Sequence, residues 1–313
     1  MNQRRWIGKK YELIEPIGEG GMAHVWRGLA HGADGFACRV AVKRVLQALE
    51  SDKNVVDLFV EEARVVSQLQ HPNIVQVHDF DRDEEGRYFL VMEWVGGLDL
   101  EQWVRSFDGN STPWHIVAEI GIEVLRALHA AHEHADDDGV PKPIIHRDVT
   151  PSNVLLSRVG IVKLADFGMA RAADRASMTA PGILKGKLSY SAPELINQQP
   201  ATARTDLFSL GIVLWEALTG QRLFAGRDPI STLRNILEAE VPSLLDVRPD
   251  VPIGFASVVN RALQRNPAAR FASAAEMQRA LVAVSRHYPE RVDDRVLSLS
   301  VRAAISRRAQ SSK

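Results

Sequence analysis

The sequence predicts an α+β protein of two lobes: a small one built on a β-sheet with one main helix, and a larger one that is mostly helical. Three observations predict it. Up to residue 92, short β-branched runs (Val40-Ala41-Val42, Ile74-Val75-Gln76-Val77 and Tyr88 to Met92) surround a single helical stretch over residues 55–69. After Gly96-Gly97 the pattern changes to long helical periods over residues 116–134, 206–218, 229–240, 255–264 and 274–286. Two compact runs, 144–156 and 162–171, read as loops fed by short strands, the kind of segment on which active-site groups are carried. The expected boundaries are an N-terminal extension over 1–10 and a folded domain over 11–287. Within that domain the small lobe covers 11–92, a connecting segment 93–97 and the large lobe 98–287. Residues 288–313 show no sustained amphipathic period and read as a polar tail, disordered or forming a loosely attached helix.

Composition narrows the function classes. A chain of 313 residues, 45% apolar and 25% charged, is ordinary globular material, and its length suits one two-lobed unit or two modest domains. The formal net charge of -1 argues against nucleic acid as a main partner, because a phosphate backbone calls for a marked excess of Lys and Arg. The lone Cys38 excludes an intrachain disulfide and a Cys-based metal cluster, and it reads as a small packing residue in a reducing, cytoplasmic setting. Residues 1–10 are polar and basic, and the chain nowhere holds the run of about 18 apolar residues that a spanning helix needs. The expectation is a soluble chain without a membrane segment, standing alone or as part of a longer membrane protein.

Motifs in a fixed order carry the chemistry. Gly18-Glu19-Gly20-Gly21-Met22-Ala23-His24-Val25 lies between strand-like segments, and glycines there let the backbone approach a phosphate closely. The run lacks the Lys-Ser or Lys-Thr ending of a P-loop, and by itself it is equally a plain turn. Lys43 falls eighteen residues after Val25, in the alternating strand Ala41-Val42-Lys43, where an ammonium can grip α- and β-phosphates. Glu62 sits amid Val55, Leu58, Phe59, Val65, Val66 and Leu69 at helical spacing; a carboxylate in an apolar stripe must be paired, and Lys43 is the partner expected. Glu61, which shares its side with Asp57, Arg64 and Gln68, suits a solvated face. In His146-Arg147-Asp148-Val149-Thr150-Pro151-Ser152-Asn153, Asp148 is placed to accept a hydroxyl proton and Asn153 to offer an oxygen to Mg²⁺. Asp166, in Asp166-Phe167-Gly168 thirteen residues beyond Asn153, is a second hard oxygen ligand.

This ordered set resembles the protein kinases of the eukaryotic (Hanks) type, and within them the bacterial serine/threonine kinases, over residues 11 to about 287. The resemblance implies a bilobal protein-kinase fold and ATP-dependent phosphoryl transfer to Ser/Thr hydroxyls of protein substrates, with Mg²⁺ (or Mn²⁺ in its place) as cofactor. By position it makes Asp148 the catalytic base, Asn153 and Asp166 the metal ligands, and Lys43 with Glu62 the phosphate-positioning pair. Gly18 and Gly20 would cover the nucleotide, and Val25, Ala41 and Leu155 would sandwich the purine. Met92 falls at the gatekeeper, Glu93 to Val95 at the hinge, and Asp99 is placed to meet the ribose. Glu194, in Ala192-Pro193-Glu194, should pair with Arg270, and Asp206 should anchor the catalytic loop.

Three positions depart from the family pattern: Ala23 replaces the third glycine, Thr150 replaces a lysine that normally contacts the γ-phosphate, and Lys187 stands where a threonine is usual. The last two look exchanged, so Lys187 is expected to supply the cation that Thr150 cannot. Arg147 beside the base suggests control by autophosphorylation, with Thr179 and then Ser177 as acceptors, and self-association in trans would serve it. The alternative readings are a nucleotide-binding pseudokinase scaffold, a small-molecule kinase of related fold, and a tyrosine kinase. The complete Lys43, Glu62, Asp148, Asn153 and Asp166 set argues against the first, the Ala-Pro-Glu element against the second and Thr150-Pro151 against the third. His129, His132 and His134 do not share one helical face and are not read as a metal site. Trp26, Trp94 and Trp215 read as packing or nucleotide-contact residues.

Overall fold

A computed structural model describes residues 5–20, 22–107, 109, 112–167 and 188–311. Two compact units emerge: a small one holding the chain up to residue 71 together with 75–95, and a large one holding 72–74, 96–167 and the described residues from 188 onward.

The small lobe is a six-stranded antiparallel sheet, ordered β1-β2-β3-β4-β6-β5. Its strands are β1 (Arg5–Ile7), β2 (Tyr11–Glu19), β3 (Ala23–His31), β4 (Ala37–Val45), β5 (Val77–Arg82) and β6 (Tyr88–Glu93). Residues 5–7, read as part of an extension, pair with β2 in the register Arg5 to Leu13 and Ile7 to Tyr11. The physical reason is apolar: Ile7 is buried with Tyr11, Leu13, Val40, Val42, Phe89 and Val91 in one core. Gly8, at φ +56°, makes the turn into β2; a Cβ there would lie 2.8 Å from the Phe89 ring. Across this sheet Tyr11 Oη donates to Asp79 Oδ2 at 2.5 Å. Helix α1 (Lys53–Ser67) begins two residues before the sequence period suggests, because Asp52 caps it by accepting from the amides of Asn54 and Val55. It buries Phe59, Glu62, Ala63 and Val66. Cys38, read as a packing residue, is exposed on β4.

The apolar run Ile74 to Val77 is not one strand. Only Val77 enters β5, whereas Ile74 bridges Leu164 in the large lobe, where the Leu164 amide donates to the Asn73 carbonyl (2.7 Å) and Lys163 Nζ to the Ile74 carbonyl (3.3 Å). The alternation that marks a strand was satisfied here by two different partners.

In the large lobe, β7 (Gly97–Asp99), β8 (Val154–Ser157) and β9 (Val162–Leu164) form an antiparallel ribbon. The helices are α2 (Leu100–Val104), α3 (Trp114–His132), α4 (Pro193–Ile196), α5 (Ala203–Thr219), α6 (Pro229–Glu238), α7 (Leu244–Val247), α8 (Ile253–Ala262), α9 (Ala274–Arg286) and α10 (Asp294–Ser311). Helix α5 is buried at every position from Thr205 to Thr219, the mark of a central helix packed on all sides. It stops at Gly220, whose φ of +67° gives the left-handed cap.

The tail read as disordered or loosely attached is instead a docked helix. Leu297, Val301 and Ala304 of α10 are buried at 0–2% exposure, a stripe of about one residue per turn, with serines and arginines between them. So narrow a stripe leaves no strong amphipathic signal in the sequence. No helix among the described residues is long and apolar enough to cross a membrane.

Glu194 and Arg270 meet as the motif reading expects. Both Arg270 Nη atoms donate to the Glu194 carboxylate at 2.8 Å, and Thr205 Oγ1 adds a third bond at 3.0 Å. Arg270, 1% exposed, also donates to the carbonyls of Gln264, Arg204 and Arg265 and lies over the Phe208 ring. Burial alone would raise the Glu194 carboxyl, but the guanidinium overrides it and holds the group below the usual carboxylate range. Removing one partner strands the other, so Arg270→Ala is expected to lower the unfolding free energy of the large lobe by about 3–5 kcal/mol in urea titration at neutral pH. A depressed acid stabilises above its unfolded pKa and ceases to as pH falls through the folded one. The deficit of Glu194→Gln is therefore expected to narrow below about pH 4.

Candidate active site

Each lobe carries a separate set of the residues singled out in sequence. In the small lobe, β2 and β3 flank the glycine run, and the Gly20 amide donates to the Ala23 carbonyl at 2.9 Å. Ala23 is buried and does not take positive φ, so the missing third glycine costs the backbone nothing. Strand β4 pairs Lys43 with Val25 and Ala41 with Met92, placing the residues expected at purine and phosphate on adjoining strands. Lys43 Nζ donates to Glu62 Oε1 at 2.7 Å with both side chains 3% exposed, while Glu61 is partly exposed and pairs with Arg64 at 3.2 Å. The Glu93 carboxylate accepts from the Gln76 amide at 2.7 Å, and the Glu93 amide donates to the Gln76 carbonyl at 2.9 Å, so two bonds fix the start of the expected hinge.

In the large lobe one carboxylate organises the catalytic-type loop. Asp206, 0% exposed in the first turn of α5, accepts from the His146 amide (2.9 Å) and the Arg147 amide (2.7 Å) and bonds His132 Nε2 at 2.8 Å. Its two bonds to successive amides hold Arg147 at φ +65°. His132, set aside as a metal ligand, is thus committed to Asp206. The His146 imidazole is fully enclosed: Nε2 faces the Ala165 carbonyl (3.0 Å), Nδ1 accepts from the Asp148 amide (3.2 Å), and the ring packs on Phe167 at 4.3 Å. Burial pushes its pKa down despite nearby carboxylates, and this hydrogen-bond pattern assigns the neutral Nε2–H tautomer.

Asp148 is steered from the other end of the loop. Asn153 Nδ2 donates to the Asp148 carbonyl at 2.8 Å and to Asp148 Oδ2 at 3.1 Å. With the amide nitrogen so committed, the carboxamide oxygen is the atom left to meet a hard cation. The Ala165 amide donates to the Asn153 carbonyl at 2.9 Å and so ties the loop to Asp166, whose φ of +60° is a left-handed conformation that Asp tolerates better than most residues. A carboxamide oxygen and a carboxylate on adjoining backbone are a donor set that fits Mg²⁺.

Thr150 is buried and its Oγ1 shares a hydrogen bond with Ser152 Oγ at 3.0 Å. Lys187, Thr179 and Ser177 lie outside the described residues. Asp99 caps α2 by accepting from the Gln102 amide at 2.7 Å and pairs in register with Leu155 across β7 and β8, so the two residues expected at ribose and purine share one ribbon. Burial pushes the Asp99 carboxyl up.

Sequence reading passed over Glu216. It is buried in α5, accepts from Tyr190 Oη at 2.7 Å and the Leu223 amide at 3.0 Å, and pairs with Arg222 at 3.1 Å; Arg222 in turn reaches Glu101 at 2.5 Å. Burial pushes its carboxyl up to about 8. The available signal was a lone acid inside the apolar run Ile212 to Leu218, the same argument that singled out Glu62.

Comparison with known proteins gives the family. The protein kinase domain model matches residues 11–282. The chain is 36% identical over 266 residues to the tyrosine-protein kinase MasK of Myxococcus xanthus, covering 84% of this chain and 41% of that protein. It is 35% identical over 277 residues to the probable serine/threonine-protein kinase PknB of Lactococcus lactis, covering 87% and 42%. Its fold matches the crystal structure of the Mycobacterium tuberculosis PknI kinase domain with a TM-score of 0.65 and 27% identity, over 90% of this chain and 98% of that one. The chain belongs to the protein kinase family, in its bacterial Hanks-type branch. It spans about two fifths of the length of the first two of these relatives.

Because Asp206 satisfies two buried amides, Asp206→Ala is expected to cost on the order of 2–4 kcal/mol of stability. Amide hydrogen exchange at His146 and Arg147 is expected to accelerate more than exchange in α3 or α9, as mass spectrometry of the labelled protein would register.

Proposed function

We propose that this chain is an ATP-dependent kinase that transfers the γ-phosphoryl group of ATP to Ser/Thr hydroxyls of proteins in the cytoplasm, with Mg²⁺ as its metal and Mn²⁺ as a substitute. The observation that carries this reading is the Asp206, His146, Asp148 and Asn153 assembly, which fixes a carboxylate and a hard oxygen donor on one short loop. A scaffold that only bound nucleotide would have no use for a base held at two points. When bound, MgATP supplies an electrophilic phosphoryl group whose developing charge must be balanced. Lys43, oriented by its pairing with Glu62, holds the α- and β-phosphates. Val25, Ala41 and Leu155 hold the purine and Asp99 the ribose, with Met92 and the backbone of Glu93 to Val95 alongside and Gly18 and Gly20 over the phosphates. Asn153 and Asp166 present the oxygens that bind the metal. Asp148 Oδ1 orients the acceptor hydroxyl and takes its proton as the bond from the hydroxyl oxygen to the γ-phosphorus forms and the bond to the β–γ bridging oxygen breaks, with ADP as the leaving group. Lys187 supplies the γ-phosphate cation for which Thr150, bonded to Ser152, has no charge.

The M. xanthus relative is named a tyrosine kinase and the L. lactis relative a serine/threonine kinase, so acceptor identity is part of the test. With radiolabelled ATP and a generic protein substrate, the wild type is expected to label serine and threonine on phosphoamino-acid analysis. Label on tyrosine alone would replace the acceptor reading. Asp148→Asn is expected to lose at least about 100-fold in kcat while still binding nucleotide. Lys187→Ala is expected to lose roughly tenfold or more, and an unchanged turnover would sink its role. Mass spectrometry after incubation with MgATP is expected to find phosphate on Thr179 or Ser177 of the wild type and none on Asp148→Asn.

A further inference from the structure

Helix α10 lies beyond the residues that the family model matches, yet it is bound to the large lobe at both ends. At its start, Gly160 in the β8–β9 turn has φ +88°, and a Cβ there would fall 1.8 Å from the Asp294 carbonyl oxygen, so turn and helix touch at the backbone. Ser298 Oγ (2.7 Å) and Arg302 Nε (3.1 Å) both donate to the Arg158 carbonyl in the same turn. In its middle, Trp103 Nε1 donates to Ser300 Oγ at 3.0 Å; the indole is fully buried, as are Leu297, Val301 and Ala304. Toward its end, Arg307 Nε donates to the Ser106 carbonyl at 2.9 Å and the guanidinium lies over Phe107.

The two pieces gripped are the β7–β8–β9 ribbon and the α2 segment. Asp99 is the junction between them: it ends β7, caps α2 and pairs with Leu155 of β8. Helix α2 is five residues long, too short to hold its own place, and its buried Trp103 is fixed by α10. We propose that α10 is a brace for the nucleoside half of the nucleotide site, with Trp103, Ser300 and Val301 as positioning residues that set where Asp99 and Leu155 meet ribose and purine. This rests on the assignment of Asp99 and Leu155 as nucleoside contacts. The hydrogen bonds of α10 described above end on Arg158, Trp103 and Ser106, on the ribbon and the α2 segment, so the brace is expected to act on affinity for the nucleoside more than on the phosphoryl-transfer step.

The test is isothermal titration of the full chain with adenosine and with MgADP, beside steady-state kinetics in ATP. Val301→Asp places a charge in a fully buried contact and undocks the helix. It is expected to weaken both ligands roughly tenfold and to raise the KM for ATP to the same degree, with kcat nearly unchanged. Ser300→Ala, a milder change that keeps the packing, is expected to give a loss of a few-fold, and Ser300→Thr is expected to restore it; this pair decides the matter if Val301→Asp does not fold. Lowered thermal stability with unchanged affinities would make α10 a purely structural element and overturn the proposal. An equal fall in kcat would also overturn it, since the helix would then act on the catalytic loop. If the wild type itself binds neither adenosine nor MgADP, the nucleotide reading fails and the brace with it, an outcome distinct from a wild type that binds and variants that bind equally well.

Discussion

The carboxylate of Asp206 is the point on which the large lobe's chemistry depends. A charge with no exposed surface is tolerated only when its lone pairs are filled, and here two successive amides and an imidazole fill them. The amides belong to His146 and Arg147, so the demand of one buried group dictates the backbone of the segment immediately before Asp148. From there the order passes on by contact. His146 bonds Ala165 and packs on Phe167, Asn153 bonds Asp148, and Ala165 bonds Asn153, so the expected base and the backbone beside both expected metal ligands share one hydrogen-bonded frame. Because α5 is buried along its length, that frame rests on the least exposed element of the lobe.

Two further buried ion pairs, Lys43 with Glu62 and Arg270 with Glu194, differ in the chemistry of their cations. Arg270 has bidentate geometry, three carbonyl acceptors and an aromatic face, which makes it a structural lock. Lys43 donates to Glu62 at 2.7 Å from a long, rotatable stem that ends in a compact ammonium. Burial is similar in the two cases. A planar fork fastens the fold in one pair, and a rotatable ammonium in the other is the kind of group expected at a phosphate.

Where local chemistry decides the outcome, the sequence was sufficient. Glu62 was legible because an acid in an apolar stripe needs a counter-charge, and the large-lobe helices were legible because their periods are long. The start of α1 was missed by two residues since a capping Asp, not periodicity, sets it. Ile74 was misread because β-branched residues report burial without naming the partner, and its partner lies some ninety residues away in β9. The docking of α10 was illegible for a related reason: its contact is made by three small or medium side chains and by hydrogen bonds to carbonyls, which carry no residue-type signature. Glu216 could have been found by the reasoning applied to Glu62. Family resemblance, not spacing, supplied the positions of Asp99, Leu155 and the hinge.

The small lobe's sheet ends in two very different edges. On one side β1 is only three residues long; on the other, β5 runs Val77-His78-Asp79-Phe80-Asp81-Arg82, with four ionisable side chains along six residues. Short strands and charged strands are the two simplest ways to keep one sheet from extending into another, since neither offers a long, flat, neutral ladder to a visitor. The segment read as an N-terminal extension thus supplies a short edge strand, a poor template for edge-to-edge growth. If two copies of this chain met, short and charged edges of this kind would favour an encounter through side chains over a joined sheet, and such an encounter is readily released.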